Sequence, residues 1–132
     1  LLGSITTPEV DTIHILGATG RREAHTIVNL SLLMEYAKEL EAAGRNGISV
    51  EIVSDFSTAF AVTGSCSLTV GKGRAISVFS PDNSLTIKSK GLHWPTDGVV
   101  FDIWWKATLN RADDDTVELE FSHPSVALVI LD

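Results

Sequence analysis

The sequence predicts two kinds of fold in succession: an α/β unit with parallel strands over residues 1–54, then an antiparallel β-sandwich or jelly-roll over residues 55–132. Three observations predict this. An apolar run, a helical repeat and a second apolar run follow one another up to Val53. The helical period then disappears near residue 55. From there short alternating segments recur at intervals of roughly ten residues, with turn signals between them.

Residues 1–12, which carry Gly3, Thr6, Thr7 and Pro8, read as a connector. Ile13-His14-Ile15-Leu16 is a short apolar run that stops at Gly17-Ala18-Thr19-Gly20, the pattern of a buried strand emptying into a loop. Ile27, Leu30, Leu33, Met34, Ala37 and Leu40 then step by threes and fours, while Glu35, Lys38, Glu39 and Glu41 fall largely on other faces, so a helix follows. Gly44 is its natural stop. After the Arg45-Asn46-Gly47 turn, Ile48, Val50 and Ile52 alternate with Ser49 and Glu51 as a strand does. This strand–helix–strand crossover suits a parallel sheet, whose further strands are expected upstream of Leu1. The chain starts at Leu1 and its one methionine is Met34, so it is expected to be the C-terminal portion of a longer protein.

In the second part, strands are predicted at Ala59–Val62, Cys66–Val70, Ala75–Phe79, Leu85–Lys88, Val99–Trp105, Thr116–Phe121 and Val126–Leu131. Turns fall at Gly71–Gly73, Ser80–Asn83, Pro95–Gly98, Asp113–Asp115 and His123-Pro124.

Composition excludes several functions. Ten Lys and Arg against 17 Asp and Glu leave a net charge of −7, which repels a phosphate backbone and argues against nucleic acid as the main partner. One cysteine excludes a disulfide scaffold. No apolar run approaches the roughly 20 residues of a membrane span, and no signal peptide is visible, so a cytoplasmic location without membrane contact is expected.

The candidate chemistry is spread over several places. Gly17–Gly20 with Arg21 and Arg22 at a helix mouth can offer backbone N–H groups and guanidinium forks to a phosphate, or be a plain strand-to-helix loop. It has neither the lysine and Ser/Thr of a P-loop nor the three-glycine dinucleotide pattern. His25 is either a general acid or base or part of the first helical turn. His14, inside an apolar run, reads as a satisfied core residue; His93 and His123 lie in turns, and no histidine pair has metal-ligand spacing. Asp113-Asp114-Asp115 reads as a solvated turn, with a cation site as the sharper alternative. Cys66 reads as a buried, inert thiol.

Trp94, Trp104 and Trp105 crowd into twelve positions. On a strand, Trp104 and Trp105 point to opposite faces, which puts at least one in the core. Trp94, with Thr108 and Asn110, reads either as sandwich core or as an aromatic wall and polar hooks for a flat, cationic heterocycle.

Three stretches in order resemble the thiamine pyrophosphokinase family. They are Gly17-Ala18-Thr19-Gly20-Arg21-Arg22-Glu23-Ala24-His25-Thr26 with Asn29-Leu30-Ser31-Leu32-Leu33; Gly91-Leu92-His93-Trp94-Pro95; and Trp104-Trp105-Lys106-Ala107-Thr108-Leu109-Asn110, the last as in Bacteroides-like members. The resemblance, from Ile13 to Leu131, implies the end of an α/β catalytic domain (1–54) followed by a thiamine-binding β-sandwich (55–132). It implies transfer of pyrophosphate from ATP to the thiamine hydroxyl, giving thiamine diphosphate and AMP with Mg²⁺ assisting, and a homodimer that shares its active sites. It further implies Arg22 and His25 as catalytic residues and Trp94, Thr108 and Asn110 as the thiamine pocket, with Trp94 covering the heterocycle and the other two bonding its polar edge.

Ala24 stands where the loop pattern R-x-D-H has aspartate, and a methyl group neither ligates Mg²⁺ nor accepts a proton. The resemblance implies that the nucleotide site and most of the Mg²⁺ ligands lie upstream; no metal site is expected in this chain, which alone is expected to be inactive. Two alternatives stand beside the enzyme fragment: a thiamine-binding module without catalysis, motivated by Ala24, and a carbohydrate-binding sandwich whose tryptophans meet sugar rings.

Overall fold

The computed structural model describes residues 12–16, 23–44, 49–54, 57–104 and 106–132. Its elements run β1 (Thr12–Leu16), α1 (Glu23–Ala42), β2 (Ser49–Val53), β3 (Thr58–Val62), β4 (Cys66–Thr69), β5 (Ala75–Phe79), β6 (Ile87–Lys90), β7 (Ala107–Arg111), β8 (Thr116–Phe121) and β9 (Ala127–Leu131). The fold is mostly β, with one described helix.

A six-stranded sheet has the order β1-β2-β3-β9-β5-β7, and a three-stranded sheet the order β4-β8-β6. β1 and β2 flank α1 in sequence and pair in parallel, Thr12 opposite Ser49 through Leu16 opposite Val53. All other pairs are antiparallel. The crossover finds its next neighbour downstream: β2 pairs with β3, Glu51 opposite Phe60, so one sheet continues across residue 55.

Each face of the large sheet has its own core. Between the two sheets lie Ile76, Val78, Leu85, Ile87, Val117, Leu119 and Val129, each at most 1% exposed. Burying one such side chain contributes about 1.5–3 kcal/mol. On the other face α1 lays Leu33 and Leu40 over Val50, Ile52, Ala59 and Leu128. This explains the two strand patterns in the sequence. β8, covered on one face, alternates exposed Thr116, Glu118 and Glu120 with buried Val117, Leu119 and Phe121. β9, covered on both, is the unbroken run Ala-Leu-Val-Ile-Leu. The helix stops where expected, with Gly44 at φ +72° and its amide bonded to the Glu41 carbonyl.

Two predicted strands need correction. The described part of the predicted strand Val99–Trp105, residues 99–104, is not a strand but a succession of turns, with Val99 N–H bonded to Thr96 O at 2.9 Å and Lys106 N–H to Ile103 O at 3.1 Å. Its apolar residues are mostly exposed, with Val100 at 53%, Ile103 at 39% and only Phe101 buried. The strand starts only at Ala107, beyond the predicted end. Leu85–Lys88 begins too early, because the Asp82 carboxylate accepts the Ser84 amide and the Asp82 carbonyl accepts that of Leu85, which turns the chain until Ile87.

Candidate functional site

The site is assembled from the turn after β6 and from β7, the edge strand of the large sheet. Gly91 makes the turn possible. Its φ is +89°, and a Cβ there would stand 2.5 Å from the Thr116 carbonyl oxygen, so only glycine fits. Beyond it the chain runs antiparallel to the end of β7: Leu92 bridges Ala112, His93 N–H donates to Arg111 O at 2.8 Å, and Asp113 N–H donates to Gly91 O at 2.7 Å.

Asn110 then takes hold of Trp94. Its Oδ1 accepts the Trp94 amide at 3.1 Å and the Arg111 amide at 2.8 Å, and its Nδ2 donates to the Trp94 carbonyl at 2.7 Å. With the main chain fixed at both ends, the indole is left 57% exposed, its edge against the His93 ring at a centroid distance of 4.4 Å. Thr96 anchors the far side of the turn, its hydroxyl donating to Ile87 O and its amide to Ser89 Oγ.

β7 carries a bulge. Ala107 pairs with Val78 and Asn110 with Ile76, so three steps on β7 match two on β5. The extra residue is accommodated at Leu109, whose φ is +59°. Left-handed backbone costs about 1–3 kcal/mol in a residue other than glycine. The amide of Leu109 donates to the buried Ser77 hydroxyl at 3.0 Å. Bulges of this kind re-aim side chains at strand edges.

The result is a cavity of about 260 Å³ lined by residues 94–96, Val99 and residues 106–110. Trp94, Thr108 and Asn110, predicted together, are brought together here. Their duties differ from expectation in one respect: the Asn110 carboxamide is largely spent on the Trp94 main chain, and no described residue takes up the Thr108 hydroxyl. Lys106, the one cation in the lining, is tied to Asp102 at 2.5 Å, and that bond lowers the Asp102 pKa. The cavity thus presents an aromatic face, a hydroxyl that no described residue takes up, and little uncompensated positive charge.

Other predicted residues lie elsewhere. Arg22 and the Gly17–Gly20 loop are outside the described residues, as are Trp105 and the side chain of His25, which stands in the first turn of α1. Trp104 is not in a core: it is half-exposed and tilted against Phe79 at 5.4 Å, because its segment turns instead of alternating across a sheet. His14 is not a core residue either. Among the described residues β1 is the outermost strand of its sheet, and His14 is exposed beside its cross-strand partner Glu51, Nε2 to Oε2 2.9 Å. Asp113 meets His93 Nδ1 at 3.2 Å, and Arg111 Nη2 stands 2.9 Å from the same nitrogen. Asp115 accepts the Lys72 amide. Among the described residues no three His, Cys, Asp or Glu side chains are arranged to hold a metal ion. Cys66 is a free, half-buried thiol whose pKa burial pushes up, which suits an inert side chain.

Sequence reasoning missed Ser77 and Leu109. A left-handed leucine carries no mark in the sequence, and Ser77 reads as an ordinary strand residue.

The fold is two packed β-sheets with a tryptophan-walled cavity beside the edge strand β7. Comparison with known proteins makes this specific: residues 58–125 match the family model for the thiamin pyrophosphokinase substrate-binding domain, and the chain belongs to that family. The matched span contains Trp94, Thr108 and Asn110.

Solved structures with the same fold include thiamine pyrophosphokinase from Bacillus subtilis (TM-score 0.73, 16% identity, 92% of this chain and 56% of that one). Thiamin pyrophosphokinase from Candida albicans is also similar (TM-score 0.74, 14% identity, 91% and 43%). So is the enzyme from Geobacillus thermodenitrificans (TM-score 0.69, 20% identity, 95% and 55%). The chain therefore spans about half the length of the solved structures it matches. No curated protein sequence matches it. Among the described residues no helix is long and apolar enough to cross a membrane.

Proposed function

We propose that this chain supplies the thiamine-binding part of a thiamine pyrophosphokinase, an enzyme moving pyrophosphate from ATP to the thiamine hydroxyl with release of AMP. One observation carries the reading: the Thr108 hydroxyl, which no described residue takes up, and the exposed indole of Trp94 line one cavity and lie within the segment that matches the substrate-binding domain. Thiamine is a cation with two flat rings. An indole face attracts such a ring by about 0.5–2 kcal/mol, more as water is excluded. Thr108 donates to or accepts from the polar edge of the vitamin, and Asn110 keeps Trp94 in place. In this reading residues 1–54 close an α/β catalytic domain, Arg22 and His25 face the phosphates, and two copies share the active sites.

The described residues do not fit a Mg²⁺ site. A lone thiol without a disulfide suits a reducing, cytoplasmic home.

A second reading, a thiamine-binding module without transfer chemistry, is favoured by Ala24 at the place of an aspartate. Two measurements separate the readings. Calorimetric titration of this chain with thiamine tests the pocket, and thiamine-dependent AMP release from ATP by the whole protein tests the transfer. Binding with AMP release supports the enzyme; binding without it, unrepaired by Ala24→Asp, supports the module; sugar binding in place of thiamine binding overturns both.

A further inference from the structure

We propose that Ser77 is a positioning residue for the candidate site, its buried hydroxyl holding the left-handed bulge at Leu109 and thereby setting where Thr108 and Trp94 stand. The inference rests on the reading of the cavity as the thiamine pocket. Ser77 is on β5, does not line that cavity, and is 7% exposed. Its Oγ accepts the Leu109 amide hydrogen at 3.0 Å.

Ile76 and Val78 on either side of Ser77 pair with Asn110 and Ala107, so Ser77 faces two residues of β7 where a regular ladder has one. The hydroxyl thus gives the Leu109 amide of the extra residue a partner while its φ is held at +59°. Without it, the strand gains by reverting toward regular pairing, and a one-residue slip exchanges the faces of the residues beyond it. Asn110 is the next residue, and its carboxamide carries the Trp94 main chain. Two consecutive links, Ser77 to Leu109 and Asn110 to Trp94, therefore join a buried serine to the aromatic wall. Ser77 also borders a separate cavity of about 330 Å³ between α1 and the sheet, which leaves room for one more methyl group.

The test compares Ser77→Ala, Ser77→Thr, Leu109→Gly and the double variant Ser77→Ala/Leu109→Gly in the full chain. Thiamine titration, thermal unfolding and ¹H–¹⁵N spectra of Trp94 and Leu109 are the readouts. Ser77→Ala is expected to weaken thiamine binding about fivefold or more. Ser77→Thr, which keeps the hydroxyl, stays within about twofold. The double variant recovers affinity to the level of Leu109→Gly, because glycine takes a positive φ without strain. A serine that only stabilises the fold would lower the melting temperature of Ser77→Ala, leave its affinity unchanged, and gain nothing from glycine at 109; that outcome overturns the proposal. If Ser77→Ala does not fold, the double variant against Leu109→Gly decides: equal affinity supports the link and unequal affinity overturns it. If the parent chain takes up no thiamine, the pocket reading fails, and Ser77 is judged on spectra. Trp94 resonances that move in Ser77→Ala but not in Ser77→Thr sustain it, and unmoved ones overturn it.

Discussion

Asn110 grips Trp94 by both main-chain groups, its Nδ2 donating to the Trp94 carbonyl at 2.7 Å and its Oδ1 accepting the Trp94 amide at 3.1 Å. Replacing the side chain by alanine removes these bonds and the one to Arg111, and orphans groups beside a buried position. Asn110→Ala is expected to cost about 1–3 kcal/mol in urea unfolding and to weaken thiamine binding. Asn110→Asp is expected to be no better, because a carboxylate then faces the Trp94 carbonyl.

Trp94 itself contributes little to the fold. With its indole 57% exposed, Trp94→Ala is expected to change stability by only about 0.5 kcal/mol while lowering thiamine affinity about tenfold. Trp94→Phe should fall between. Calorimetry and denaturant titration on the same samples check the separation; loss of both together contradicts it.

Gly91 is the opposite case, outside the cavity lining but indispensable to the turn. Gly91→Ala places a methyl carbon 2.5 Å from the Thr116 carbonyl oxygen at a φ of +89°. The expected cost is at least about 1–3 kcal/mol, read as a lower urea midpoint, with thiamine binding lost in parallel as Trp94 moves.

Part of the pH dependence of stability should come from one end of the sandwich. Hydroxyl bonds from Ser125 and Ser84 lower the Asp82 pKa from 3.8 to about 2. The carbonyls of Pro124 and Ser84 raise that of His123 above 6.5. A depressed acid stabilises above its unfolded value and loses this as pH falls toward 2. A raised histidine stabilises fully below 6.5 and loses this as pH rises through its folded value. Melting temperature should therefore be highest between about pH 4 and 6.5. Asp82→Asn should flatten the acid limb and His123→Gln the other; unchanged limbs contradict the assignment.

Much of the fold was legible because local pattern and tertiary environment agree. Ala75–Phe79 and Thr116–Phe121 are strands to the residue, since each alternation faces a real core. The disagreements have local causes. The Trp104-Trp105 run suggested a strand, but the turns at Thr96–Val99 and Ile103–Lys106 consume the segment. His14 looked internal because its neighbours are apolar, yet it occupies the outermost described strand of its sheet, where one side chain in two meets water.

The candidate site divides in the same way. Trp94, Thr108 and Asn110 could be grouped from their motifs, but not the division of labour among them. That division depends on a bulge, on a leucine at φ +59° and on a serine one strand away. Such features arise from strand pairing, which residue spacing along one chain does not encode.

Intermolecular nuclear Overhauser effects between thiamine and this chain test the central claim most directly. The account predicts cross-peaks from the vitamin's ring protons to the Trp94 indole and the Thr108 methyl, absent in Trp94→Ala. Bound thiamine whose cross-peaks all fall on residues outside 91–110 would contradict it.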